Sequence, residues 1–144
     1  MRAETEKAKM LLEKGEHTLV LCSKAETLTS GERGVKALLS MYDEGKTLSG
    51  FCAADKAVGK GAAVLFVLLG AEEVYAEVMS EKAKKLFEDN GVSAYAALTV
   101  PAILNRRKDG FCPIETAVGE VNDPKEALGI IKATLRKMNA QKKN

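Results

Sequence analysis

The chain has 144 residues, 46% of them hydrophobic, with 22 basic against 20 acidic side chains and a formal charge of +2. That length supports one sizeable core, and dividing it would leave two small ones, so a single domain over residues 1–144 is expected. The near balance of charge offers no broad attraction to nucleic acid or to an anionic membrane, and the longest apolar run, 61–71, is too short to span a bilayer.

Residues 3–14 mix Glu, Lys, Ala, Met and Leu as a helix does, and Gly15 stands where a C-terminal cap belongs. The charged pattern Glu4, Glu6, Lys7, Lys9 does not resemble a signal peptide, and a cytoplasmic location is expected. Residues 17–22 read as a strand. The polar patch 23–26 separates it from β-prone 27–29, which predicts a hairpin with an exposed edge. Thr29 and Glu32 have capping-box spacing ahead of Val35, Leu38, Leu39 and Tyr42 at helical intervals, and Gly45 closes that second helix.

A strand over 48–54 then runs into Asp55-Lys56, where Gly59 and Gly61 let the backbone turn tightly into a helix over 58–69. That helix is apolar on every side and belongs at the centre of the domain. A strand over 73–79 follows, with Ser80 as N-cap of a helix over 81–90 ending at Gly91, and a further strand over 92–98. Residues 105–110 form a basic turn. Pro113 suits the first position of a helix, which places Cys112 at its N-cap and Glu115 in its first turn. Asp123-Pro124 opens a last helix with Leu128, Ile131, Ala133 and Leu135 on its buried face, and the tail from about 139 to 144 is expected to fray. Its late cluster of Lys132, Arg136, Lys137, Lys142 and Lys143 complements a helix dipole better than it suggests a nucleic-acid surface. Three widely spaced cysteines, Cys22, Cys52 and Cys112, match neither a disulfide framework nor a zinc pattern, so reduced thiols are expected.

Strand-helix alternation after a hairpin implies a sheet covered on both faces, parallel in its second half, with the turns Ser30-Gly31-Glu32 and Asp55-Lys56 facing each other. Open α/β sheets bind ligands beyond the carboxyl ends of their strands, where helix starts suit phosphate. The crevice between Ser30–Glu32 and Asp55–Lys60 is therefore the expected site for a nucleotide or nucleotide-derived ligand. Ser30, Gly31, Gly59, Lys60, Ser80, Asn105 and Arg106 are its candidate binding residues, and Glu32, Asp55, Lys56, Cys112 and Glu115 its candidate catalytic ones. Each also has a plain structural reading. Asp55 and Lys56 are an acid-base pair or a helix-start Asp beside a solvated Lys; Glu32 is a catalytic acid or the capping partner of Thr29. Cys112 is a thiol activated by a helix start or an inert buried one, and Ser80 is a ligand contact or an N-cap. Asn105 and Arg106 grip an anion or solvate their turn. Gly59-Lys60-Gly61 lacks the spacing and the Ser/Thr of a Walker A loop.

This order of elements resembles the cytidine deaminase-like fold. Zinc deaminases start one helix with His-Ala-Glu and the next with Pro-Cys-x-x-Cys, and hold an activated water between them. These positions fall near Ser30-Gly31-Glu32, with Glu32 matching the proton shuttle, and near Asp55-Lys56-Ala57-Val58-Gly59. The zinc ligands are missing: Ser30 is a poor one, the single histidine lies on a strand, and Cys52 precedes the elbow alone. A closer resemblance is to an uncharacterised prokaryotic family, a domain of unknown function with the deaminase-like fold and without its metal motif. It runs through Ser30-Gly31-Glu32-Arg33-Gly34-Val35, Ala54-Asp55-Lys56-Ala57-Val58-Gly59-Lys60-Gly61-Ala62-Ala63, Ser80-Glu81, Asn105-Arg106 and Cys112-Pro113-Ile114-Glu115. The resemblance implies a three-layer αβα domain, a mixed five-stranded sheet opened by an antiparallel hairpin, and no zinc. A homodimer is compatible with nucleotide binding; the alternatives to it are a non-catalytic oligomeric or partner-binding module and a thiol sensor or transferase built on Cys112.

Overall fold

The computed structural model describes residues 1–32, 35–105 and 108–142. Helix α1 (Ala3–Lys14) leads into strands β1 (Leu19–Cys22) and β2 (Thr27–Ser30), then α2 (Lys36–Asp43), β3 (Cys52–Val58), α3 (Lys60–Leu69), β4 (Glu73–Ser80), α4 (Glu81–Asp89), β5 (Ser93–Val100), α5 (Pro113–Ala117) and α6 (Pro124–Lys142). The five strands form one mixed sheet in the order β2-β1-β3-β4-β5. The β1 strand is antiparallel to both neighbours, whereas β3, β4 and β5 run parallel, as strands joined through helices must.

Strand alternation divides the core in two. Ala8 and Leu12 of α1 pack with Val20, Cys22, Ala54 and Tyr75, while the alternate residues Leu19, Leu21, Ala53, Val74 and Ala76 join the larger cluster contributed by the other helices. One helix thus covers one face and the remainder cover the opposite face. Within that second layer α3 is central, touching α2, α4, α5 and α6. Val64, Leu65 and Phe66 are fully buried, each adding about 1.5–3 kcal/mol of hydrophobic stabilisation. Gly70, left-handed at φ +83°, ends the helix by donating to the Phe66 and Val67 carbonyls.

Several sequence expectations need correction. Asp55-Lys56 is not an elbow but the middle of β3, because Asp55, Ala57 and Val58 pair with β4 and the Lys56 N–H donates to the Thr18 carbonyl at 3.1 Å. The turn comes at Gly59, whose backbone is extended (φ −93°), so the glycine does not serve a left-handed turn. No capping box forms at Thr29-Glu32: Thr29 lies within β2, the N-cap of α2 is Val35, and Ser30 Oγ instead accepts from the Glu32 N–H at 3.1 Å. Helix α6 buries Ala127 and Ile131, with Leu128 and Leu135 packed partly buried against the core as expected, whereas Ala133 is exposed.

Candidate functional site

Helix α5 lies across the starts of α3 and α4, and Glu115 is the group that joins them. Its buried carboxylate accepts from the Lys60 N–H at 2.6 Å and the Ser80 hydroxyl at 2.5 Å through Oε2, and from the Ile103 N–H at 2.8 Å through Oε1. Ser80 in turn caps α4, its Oγ accepting from the Ala83 N–H at 3.1 Å. An anion therefore does sit at the start of α3, where unpaired N–H groups and the helix dipole favour one, and it is the protein's own.

This contact explains both glycines. A Cβ at Gly59 would stand 2.9 Å from Glu115 Oε2 and 3.2 Å from Ile103 Cγ1, and one at Gly61 would stand 2.5 Å from Ile114 Cγ2. They make room for α5. The Lys60 side chain is also buried, with its ammonium donating to the Gly119 carbonyl at 3.0 Å and to Asn122 Oδ1 at 3.2 Å. Desolvation first, then the charge of Lys82, lowers its pKa.

A second group gathers around Thr18. Ser30 and Asp55 flank Leu19 in one row of the sheet, two strands apart. The Thr18 hydroxyl, just before β1, shares its one proton between the Ser30 carbonyl at 3.1 Å and the Glu32 carbonyl at 2.5 Å, tying the end of β2 to the start of β1; the Thr18 carbonyl in turn accepts from the Lys56 N–H of β3. Asp55 is buried, and its pKa is pushed up to about 7, chiefly by desolvation, with the backbone amides of Ala57 and Lys56 pulling it partly back. Lys56, Gly31 and Glu32 are exposed.

The structure thus brings Gly59, Lys60, Ser80 and Glu115 together, and separately brings Ser30 and Glu32 to the Asp55 side of the sheet. Among the described residues no hydrogen bond or ion pair links the two groups. Asn105 closes its own turn, exchanging bonds with Asp109 at 2.9 and 3.3 Å. Arg106 lies outside the described residues. Cys112 is the N-cap of α5 and half-buried, while Glu115 points to α3 and α4. Ile103, Lys82, Gly119 and Asn122 were not legible as site residues, since a backbone N–H and a chain-distant carbonyl leave no sequence signal. Cys22 and Cys52, thirty residues apart in the chain, stand opposite each other on β1 and β3 as free, buried thiols.

With this geometry in view, residues 7–135 match the sequence profile of TM1506, a domain of unknown function (DUF1893). The chain belongs to that family. It is also similar to the crystal structure of a DUF1893 family protein, TM1506, from Thermotoga maritima, with a TM-score of 0.82 and 28% identity over 95% of this chain and 92% of that one. No curated protein matches the chain. Membership of the DUF1893 family is in keeping with the sequence resemblance to an uncharacterised family, and the match covers both groups described above, from β1 to α6.

Proposed function

We propose that this DUF1893 protein binds a nucleotide or nucleotide-derived ligand on a cytidine deaminase-like scaffold that does no zinc chemistry. The observation that carries the reading is Asp55: a buried carboxyl on β3, in the same row as Ser30, whose pKa desolvation pushes up to about 7. A buried acid is costly to keep and is a group suited to a ribose hydroxyl or the amino edge of a base. Lys56, next to it in the chain and exposed, supplies a charge for phosphate, with Ser30, Gly31 and Glu32 on the rim. The strand order, with helix starts after β3 and β4 at one sheet edge, supports the deaminase-like scaffold. At the second metal-motif position of that scaffold the α3 start is held by Glu115, a hydrogen-bonded carboxylate in place of cysteine thiolates.

Thermal denaturation with a panel of purine nucleotides and their ribose derivatives tests this. A ligand-dependent rise in Tm that Asp55→Asn and Lys56→Ala both abolish is the expected result. A flat response across the panel would overturn the reading, and stoichiometric zinc in the purified protein would overturn its metal-free part.

A second reading, a non-catalytic module working through self-association, is favoured by β5. This edge strand of eight uncharged residues exposes Tyr95 at 43% and Leu98 at 56%.

A further inference from the structure

The ammonium of Lys60 borders a cavity that the nucleotide reading does not use. A lysine head group has three N–H donors, and here two are taken, by the Gly119 carbonyl and Asn122 Oδ1, on a side chain only 3% exposed. The cavity, of about 260 Å³, lies between the first residue of α3, the outer turns of α4 and the chain just after α5. Lys82 and Lys85, one helical turn apart on α4, open onto it as well. Lys82 closes on the same turn as Lys60, for a Cβ built at Gly119 would stand 2.8 Å from Lys82 Nζ. Two carboxylates share the lining: Asp89, paired with Lys85 at 3.5 Å, and Glu120. Burial and the charges of Lys82 and Lys85 oppose protonation of Lys60, while Glu120 and Glu115 favour it. Ammonium groups crowded around one polar cavity, one of them buried with a donor to spare, are relieved by an anion that accepts from all of them.

We infer that this cavity binds a small oxyanion, inorganic phosphate or the phosphate group of a small monoester, bridging the ammonium groups of Lys60 and Lys82 with Lys85 at the rim. Its volume is below the roughly 300–1,000 Å³ of pockets that enclose drug-sized ligands, which suits a phosphate group and not a whole nucleoside. Lysines contribute point charges without a fixed fork, so recognition rests on charge and size.

Calorimetric titration of the full chain at constant ionic strength, with inorganic phosphate, with ribose 5-phosphate and with chloride as the control, tests the inference. The expected result is one saturable event per chain with at least one phosphate, weakened about tenfold in Lys82→Ala and tightened in Glu120→Gln. Lys82 is exposed, so its variant retains the core, and an unchanged Tm verifies this. No saturable heat beyond chloride would overturn the proposal, as would equal affinity in Lys82→Ala at unchanged Tm. Asp55 and Lys56 do not line this cavity, so Asp55→Asn and Lys56→Ala leave phosphate binding here unchanged while abolishing the nucleotide-dependent rise in Tm.

Discussion

Two buried carboxyl groups, Asp55 and Glu115, are treated in opposite ways by the fold. Glu115 accepts three hydrogen bonds from groups far away in the chain, so its burial is compensated by donors that would otherwise be unpaired. Asp55 lies against β1 and β4, and desolvation raises its pKa from 3.8 to about 7. An acid whose folded pKa is raised binds more protons in the folded state, so stability is highest below the unfolded pKa and falls as pH rises towards the folded value. Full ionisation of Asp55 costs up to about 4 kcal/mol. Urea denaturation followed from about pH 4 to about pH 8 should show this decline in the wild type and lose most of it in Asp55→Asn, leaving the variant the more stable at the alkaline end. An identical slope in both proteins would rule out Asp55 as its source.

At the scale of elements, the junction of α3 with α5 depends on the absence of two side chains. The Cβ of alanine at position 61 would stand 2.5 Å from Ile114 Cγ2, on helices held together by Glu115. Gly61→Ala is expected to destabilise by about 1–3 kcal/mol through overpacking. The same substitution at Gly129, within α6 and with nothing within 4 Å of the added atom, should stabilise by about 0.5–1 kcal/mol. Chemical denaturation of the two variants measures both, and equal effects would show that crowding by α5 is not what requires Gly61. The sequence marked the glycines as notable but suggested the wrong reason, because a turn and a close approach select the same residue.

At the scale of the molecule, the sheet is covered unevenly. Helix α1 packs mainly on β1 and β3 and less on β4, and among the described residues no strand lies beside the outer backbone edge of β5. Natural edge strands are usually interrupted by proline, lysine or a bulge, and Ser93–Val100 contains no proline or charge. The self-association reading therefore predicts a light-scattering mass that rises above the 15.5 kDa of one chain with concentration, and a Leu98→Lys variant that stays at that mass. A wild type of single-chain mass at every concentration would remove the argument for pairing through β5.

Local pattern was enough for what depends on neighbours in the chain. The helical spacing after Pro124, the all-apolar α3, Ser80 before α4 and Gly45 and Gly91 at helix ends were legible because periodicity and caps act within a few residues. The boundary of β3 was not, since Asp55 to Val58 are extended through pairing with β4, twenty-one residues away in the chain. The partners of Glu115 were equally hidden: sequence placed it correctly in the first turn of α5, whereas only the packing of α5 across two other helix starts decided that its charge satisfies them. Which helix-start N–H groups remain for a ligand is settled by what the rest of the chain has already placed there, and that is a property of the tertiary structure alone.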